Sequence, residues 1–295
     1  MRLRALAPAK VNLALFVGAG RRDGRHRLVT LFESLSLADV LELQTLEPGA
    51  RDEVICPSVQ GENLAARALA LLREHGWDGP PVRVTIDKRV PVAGGMAGGS
   101  ADAAATLRLA MALAPGRAHE VGAIAAALGA DVPAQLLPGL SIGTGAGELV
   151  ERLQPLGTHV HLVLPAAVAL STPAVFAEAD RLARPRTDAN LGSLHRELVD
   201  AVAGRGRLPA ALIANDLEAA AVSLYPPCGE ALAALREAGA EQALVSGSGP
   251  TVVGIWWGED ARALAAAARE ALRPRWPEAV VAVPVAGELA AATLI

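Results

Sequence analysis

A glycine-dense segment between two apolar runs limits what this chain can fold into. Val82-Arg83-Val84-Thr85-Ile86 alternates as a strand does, and the alanine-rich stretch from about Ala101 to Leu113 has the composition of a buried helix. Between them stands Pro91-Val92-Ala93-Gly94-Gly95-Met96-Ala97-Gly98-Gly99-Ser100-Ala101-Asp102. Its four glycines let backbone amides come close to a ligand and allow positive φ. A helix opening directly after such a loop presents unpaired N–H groups and a partial positive charge, and phosphate oxygens suit both. The segment has neither the Gly-Lys-Ser/Thr ending of a P-loop nor G-x-G-x-x-G spacing, so it predicts phosphate binding without naming a reaction. As plain helix-start chemistry, Ser100 would be the N-cap and Asp102 would complement the dipole. Ser100 could cap and still turn its hydroxyl to a metal.

The rest of the chain alternates strand-like and helix-like segments irregularly. Lys10 to Val17, Leu28 to Leu37 and Val40 to Leu46 read as strands, with a turn segment at Gly18 to Gly24. Asn63 caps a helix running to His75, and another helix spans about Glu120 to Leu128. Gly139 to Val150 reads as strand–turn–strand. In the second half, strands are predicted near Val160 to Leu164, Ala243 to Ser246, Thr251 to Trp256 and Ala279 to Val285. Helices are predicted near Pro173 to Leu182, Leu191 to Val202, Asn215 to Val222, Gly229 to Ala238 and Asp260 to Leu272. This interleaving favours an α+β fold over a doubly wound parallel sheet. The boundary between two halves falls near residues 150 to 160, giving 1–153 and 154–295.

Composition removes several function classes. A net charge of −4 and eight aromatics in 295 residues supply neither the basic groove nor the stacking platforms of a general nucleic-acid binder. The longest uncharged run, Leu153 to Ala177, carries three prolines and two histidines and does not read as a membrane span. Lys10 and Asn12 interrupt the apolar N-terminal stretch, so it does not read as a signal peptide. Cys56 and Cys228 are isolated in sequence and fit a reducing, cytoplasmic setting. Of 27 basic residues only Lys10 and Lys88 are lysines, which draws attention to both.

The glycine loop resembles the phosphate-binding loop of the GHMP kinases, the galactokinase–homoserine kinase–mevalonate kinase group. Three more segments are similar to the family in order and spacing: Pro8-Ala-Lys-Val-Asn-Leu13 with Asp23-Gly-Arg-His26, Leu128-Gly-Ala-Asp-Val-Pro133, and Ser246-Gly-Ser-Gly-Pro-Thr251. They resemble most the members that act on a cytidine-diphosphate substrate in non-mevalonate isoprenoid synthesis. Other small-molecule GHMP kinases, and a non-catalytic nucleotide-binding module of the same fold, stand as alternatives. The resemblance runs from about residue 7 to residue 256. It implies a two-domain fold, an N-terminal domain like ribosomal protein S5 and a ferredoxin-like C-terminal domain, with the active site in the cleft between them.

The resemblance also implies roles. ATP would lie on the loop from Pro91 to Ala101, Mg²⁺ would bridge its phosphates, and Ser100 would be the hydroxyl beside the ion. No cluster of carboxylates suggests an all-protein metal cage. Asp131 would take the proton from the acceptor hydroxyl; Lys10 would keep Asp131 ionised and stabilise charge on the transferring group. Asn12, His26, Thr172 and Phe176 match positions that line the cytidine-diphosphate pocket. Arg25 departs from the family pattern, which has tyrosine there; a guanidinium can also stack on a base. Without the resemblance, Lys10 reads as a solvated strand lysine, Asp131 as a turn aspartate, His26 as a loop histidine and Phe176 as a core residue. Lys88 reads as a phosphate contact or a surface lysine. The Ser246–Thr251 turn reads as a wall of the cleft or a hairpin loop. His75, His119, His159, His161 and His195 read as surface and packing.

Overall fold

The structure is a computed structural model and describes residues 1–59, 61–92, 94–116, 120–166 and 168–295. Ala93 of the predicted phosphate loop and His119 lie outside the described residues. The chain opens with two long strands, β1 (Arg2–Gly20) and β2 (His26–Thr45), then a short β3 (Glu53–Ile55). Next come α1 (Leu64–Glu74), β4 (Val82–Asp87), α2 (Gly98–Leu113), α3 (Val121–Leu128) and α4 (Val132–Leu136). The hairpin β5 (Leu140–Thr144) and β6 (Leu149–Arg152) precedes β7 (His159–Leu164), α5 (Thr172–Leu182), α6 (Asp188–Ala203) and β8 (Ala214–Asn215). The chain continues through α7 (Glu218–Leu224), α8 (Pro227–Glu237), β9 (Gln242–Val245) and β10 (Val252–Trp257). It ends with α9 (Ala261–Leu272), β11 (Val280–Ala282) and β12 (Thr293–Leu294).

Two sheets organise these elements. The first runs β12-β1-β2-β4-β3, with β5 and β6 continuing from β2 and β8 lying parallel to β1. The second, β11-β7-β10-β9, is antiparallel throughout. The order β7, α8, β9, β10, α9, β11 is the β-α-β-β-α-β arrangement of a ferredoxin-like fold. Strand alternation sorts the core. On β7, Val163 faces the first sheet, whereas Val160, Leu162 and Leu164 pack under α8 and α9. One core fills the space between the sheets, and another lies under α1 to α4 on the far face of the first sheet.

Local chemistry explains most element boundaries. Asn63 caps α1 by accepting from the Ala65 N–H. The alanines of α2 let it lie close on the first sheet, with Ala101, Ala103, Ala104 and Ala105 fully buried. Register shifts interrupt the β1–β2 ladder between Pro8 and Lys10 and between Asn12 and Ala14. Such irregularities re-aim side chains, and here they bracket the two buried polar residues of β1, Lys10 and Asn12.

Several expectations change. α2 begins at Gly98, three residues before the predicted start, and Ser100 is not its cap. The N-cap is Ala97, held at φ 54° in the left-handed region, and Ala101 N–H donates to its carbonyl. The predicted helix at Asn215 begins instead at Glu218. Asn215 pairs with Leu15 in β8 and its amide donates to the carbonyls of Val245 and Gly247. The sequence pattern did not predict α4, β3 or β12. Each is five residues or fewer and is made by its tertiary partners.

Candidate active site

The glycine loop, the start of β2, the α3–α4 turn, the N-terminal half of α5 and the β9–β10 turn surround a cavity of about 760 Å³. That is room for drug-sized ligands. Gly94, Gly95, Ala97, Gly98, Gly99 and Ser100 line one side. Met96 and Ala101 turn into the core, and Val92 is exposed and lies outside the cavity's lining. The first-turn amides of α2 have no intrahelical acceptors, which leaves their N–H groups for an anion.

Two glycines of the loop are forced. Gly95 has φ +77°, and a Cβ there would sit 2.3 Å from the Ser246 carbonyl oxygen. A Cβ on Gly94 would meet Thr251 Oγ1 at 2.7 Å. The β9–β10 turn therefore buttresses the phosphate loop directly. Thr251 N–H donates to the Gly94 carbonyl (3.3 Å) and Ser246 Oγ donates to the Gly95 carbonyl (3.2 Å). The predicted cleft wall and hairpin loop are one structure.

Beneath the loop lies Lys10, which is buried, contrary to a solvated strand lysine. Its backbone N–H donates to the Met96 carbonyl (3.1 Å), fixing β1 against the loop. Its ammonium donates to Asn12 Oδ1 (2.7 Å) and the Gly95 carbonyl (3.4 Å), and lies 3.6 Å from the Asp131 carboxylate. Asn12 in turn donates to Thr30 Oγ1 (2.7 Å), which donates to the Ala14 carbonyl (2.8 Å). This chain of donors orients the Asn12 amide so that its oxygen faces the ammonium. Asp131 is the N-cap position of α4, but its side chain makes no capping bond and is about a third exposed into the cavity. The pair thus offers a carboxylate free to accept a proton, beside a fixed cation.

The far end of the cavity has a different character. His26, Thr172 and Phe176 all line it, as does Arg25. The His26 ring stacks on Phe176 with centroids 4.8 Å apart, and Asp180 holds its Nε2. Thr172 Oγ1 and Ser248 Oγ are hydrogen-bonded at 3.0 Å, joining α5 to the β9–β10 turn. Arg25 is held by Asp23, whose carboxyl is drawn below the ordinary range chiefly by the Arg25 backbone N–H. Every described residue predicted for catalysis or substrate binding therefore lines this one cavity.

Sequence reasoning missed the supports. Thr30 and Asp180 carry no motif of their own, and Ser248 stands inside the Ser246–Thr251 segment without a role assigned to it; Asp180, one helical turn after Phe176 on a predicted helix, had a spacing to betray it. Lys88 also differs from expectation. It is neither on the surface nor among the cavity's lining, because its ammonium is buried against Asp39 (2.5 Å) and Asp102 (2.8 Å). Asp39 also accepts from the Arg89 and Val90 N–H groups, whereas Asp102 Oδ1 has no partner. Burial raises the Asp102 pKa to about 7 against the opposing pull of Lys88, and Asp39 adds to the rise. Lys88 itself is raised, its two carboxylates outweighing burial. This trio anchors the start of α2 to β2 and β4 behind the phosphate loop.

His159 and His161 are also more than packing. Both donate from Nε2 to the buried Glu33 Oε2, at 2.8 and 2.7 Å. Among the described residues this is the one group of three side chains close enough to share a metal ion, but the contacts are hydrogen-bond length. Ligand atoms around a tetrahedral ion at roughly 2.0–2.1 Å stand about 3.3 Å apart, so protons rather than a metal join these three.

Residues 63–139 match the family of GHMP kinases N terminal domains, and residues 197–274 match the GHMP kinases C terminal family. The chain is 44% identical to a 4-diphosphocytidyl-2-C-methyl-D-erythritol kinase of Thermobifida fusca, over 89% of this chain and 90% of that one. It is 42% identical to the kinase of the same description from Streptomyces coelicolor, over 85% and 86%. A crystal structure of a 4-(cytidine 5'-diphospho)-2C-methyl-D-erythritol kinase superposes with TM-score 0.77 at 34% identity, covering 95% of this chain and 98% of that one. A homoserine kinase from Cytophaga hutchinsonii shares the fold, with TM-score 0.72 at 16% identity over 100% and 97%.

Proposed function

The chain belongs to the 4-diphosphocytidyl-2-C-methyl-D-erythritol kinases, within the GHMP kinases, and from that premise we propose how its cavity carries out the reaction. The enzyme transfers a phosphoryl group from ATP to the 2-hydroxyl of 4-diphosphocytidyl-2-C-methyl-D-erythritol, a step of non-mevalonate isoprenoid precursor synthesis. Phosphoryl transfer asks for a cradle, charge neutralisation and a positioned hydroxyl, with little covalent chemistry from the protein. The loop and the amide end of α2 form the cradle. The acceptor hydroxyl lies against Asp131, which accepts its proton as oxygen attacks the terminal phosphorus. Lys10 stands 3.6 Å from that carboxylate and beneath Gly95, where its charge favours negative charge building on the transferring group.

Ser100 and Asp131 are hard oxygen donors lining the cavity, too few for a protein cage. The set fits Mg²⁺ held chiefly by the nucleotide's phosphates; the Ser100 hydroxyl would hold the ion, which when bound would neutralise phosphate charge, and Asp131 would stay free for the proton. His26, Phe176 and Thr172 receive the cytidine end, with Asn12 nearer the reacting hydroxyl. We also take 1–153 and 154–295 as the two domains, supported by β1 to β6 sharing the first sheet and β7 and β9 to β11 forming the second. A cytoplasmic setting is supported by two free cysteines; among the described residues no helix is long and apolar enough to cross a membrane.

The observation that carries these assignments is the Lys10–Asp131 pair under the glycine loop, in one cavity with the His26–Phe176 stack. ADP release measured with the cytidine-diphosphate substrate, against homoserine, mevalonate and galactose, tests it. Preference for any of the other three overturns the substrate assignment and leaves the kinase chemistry standing.

A further inference from the structure

We propose that Asp180 is a positioning residue that sets the tautomer of His26, and through it the preference of the cavity for cytosine over uracil. The inference rests on the cytidine-diphosphate reading of the cavity and concerns a residue to which that reading gives no role.

α5 places Phe176 and Asp180 four positions apart, on one face, and the two hold a single ring between them. His26 stacks on Phe176 with ring planes 23° apart, and its Nε2 lies 3.0 and 3.1 Å from the two Asp180 oxygens. An ionised carboxylate only accepts, so Nε2 carries the proton. In the neutral imidazole the lone pair is then on Nδ1. That nitrogen has no protein partner among the described residues, and it is not one of the side-chain atoms sealed from solvent without a bond. His26 lines the cavity, so a fixed acceptor is available there to a ligand.

The two pyrimidines differ where such an acceptor matters. Cytosine carries an exocyclic amino donor at the position where uracil carries a carbonyl acceptor. A lone pair held on Nδ1 is satisfied by the first and faces another lone pair in the second. Leaving one buried acceptor unpaired amounts to roughly 10- to 100-fold in kcat/KM. Stacking on Phe176 alone cannot make this choice, because both bases have the same kind of face. Asp180 thus acts at one remove: by holding Nε2 it decides which nitrogen of His26 meets the base.

The experiment compares the cytidine-diphosphate substrate with its uridine-diphosphate counterpart on the full-length enzyme at saturating ATP. Three proteins are used: the parent, Asp180→Ala and Asp180→Asn. The parent is expected to favour cytidine roughly 10- to 100-fold. Asp180→Ala is expected to lose most of that preference, through a KM for the cytidine compound raised about 10-fold with kcat changed less than about 3-fold. Asp180→Asn is expected to restore it, because the amide oxygen still accepts from Nε2. Nitrogen-15 spectra of labelled histidine should show His26 protonated at Nε2 in the parent and a tautomer mixture in Asp180→Ala. An unchanged base preference in Asp180→Ala overturns the proposal. So does an Asp180→Asn as impaired as the alanine variant, or a parent protonated at Nδ1. Turnover of homoserine in place of either pyrimidine compound overturns the substrate assignment instead, and leaves the tautomer spectrum to decide whether Asp180 sets the ring.

Discussion

Glu33 on β2 and His159 on β7 form a buried ion pair that joins the two sheets, with His159 Nε2 2.8 Å from Glu33 Oε2. The His159 Nδ1 lies 2.7 Å from the Gly157 carbonyl, so both ring nitrogens face acceptors and the ring carries both protons. His161 donates to the same carboxylate oxygen, and its Nδ1 is buried without a partner. Burial would raise the Glu33 carboxyl, but the two imidazoles outweigh it and hold the pKa at about 2. The same carboxylate raises His159 against the cost of burial; burial and the neighbouring charge lower His161.

This cluster predicts acid sensitivity. A carboxyl lowered on folding stabilises fully above its unfolded value near 4.5, and the contribution is lost as pH falls toward about 2. At about 1.4 kcal/mol per unit this is on the order of 3 kcal/mol. His159, being raised, stabilises fully below about 6.5 and loses that as pH rises through its folded value; His161, being lowered, does the reverse. Glu33→Gln should be less stable than the parent at pH 7, with the gap closing between pH 4.5 and 2. Thermal melts across that range check it. A gap that stays constant with pH would show that Glu33 carries no such linkage.

Asp131→Asn should slow turnover by roughly 10²- to 10⁴-fold, the usual scale for a general base, with little change in the KM for ATP. The side chain is about a third exposed and caps nothing, but the buried Lys10 ammonium keeps only Asn12 and the Gly95 carbonyl as partners, so a modest loss of stability should accompany the loss of turnover. Steady-state kinetics with a melting curve decide the matter. Turnover within a few-fold of the parent would mean that positioning alone carries the reaction.

Gly95→Ala should damage the phosphate loop itself. The new methyl would meet a carbonyl oxygen at 2.3 Å, and φ +77° is strained for any residue with a Cβ. A destabilisation of roughly 1–3 kcal/mol is expected, with a raised KM for ATP. Gly99→Ala is the control for the stability loss, since only Leu64 Cδ1, at 3.7 Å, approaches that position. Equal losses of stability in both variants would refute the buttressing role of the β9–β10 turn.

Lys88→Met should be among the most destabilising single changes, by roughly 3–5 kcal/mol, because it leaves Asp39 buried without a counter-charge and drives Asp102, already raised, to take up a proton. Adding Asp39→Asn should recover part of the loss, since the stranded charge is then gone while the amide oxygen still accepts from the Arg89 and Val90 N–H groups. Urea unfolding of the single and double variants measures the coupling.

Many residues that line the cavity were legible through the family resemblance because short segments carry them: the glycine loop, the residues around Lys10 and Asn12, and the turn at Asp131. Element types were legible wherever the apolar period persisted, as in α1 behind its Asn63 cap and in β7, β9 and β10. The α2 start was misplaced because a backbone cap at Ala97 leaves no side-chain signature. Lys88, His159 and His161 were misread because polar residues within strand-like or loop segments look solvated until the opposing surface is known. Glu33 sits between Leu31 and Leu35 in an apolar comb, and its partners lie 126 and 128 positions away.

By itself the sequence determined the glycine loop between a strand and a helix, the α+β alternation and the scarcity of lysine that singled out Lys10. These depend on local properties: glycine's access to positive φ, side-chain periodicity, and composition. Only the tertiary structure decided that Lys10 is buried 3.6 Å from Asp131, that Ser246 and Thr251 buttress the loop, and that Asp180 holds His26. The physical reason is that charge, tautomer and exposure are set by what packs opposite a residue. In this chain the opposing group comes from another element, far along the sequence.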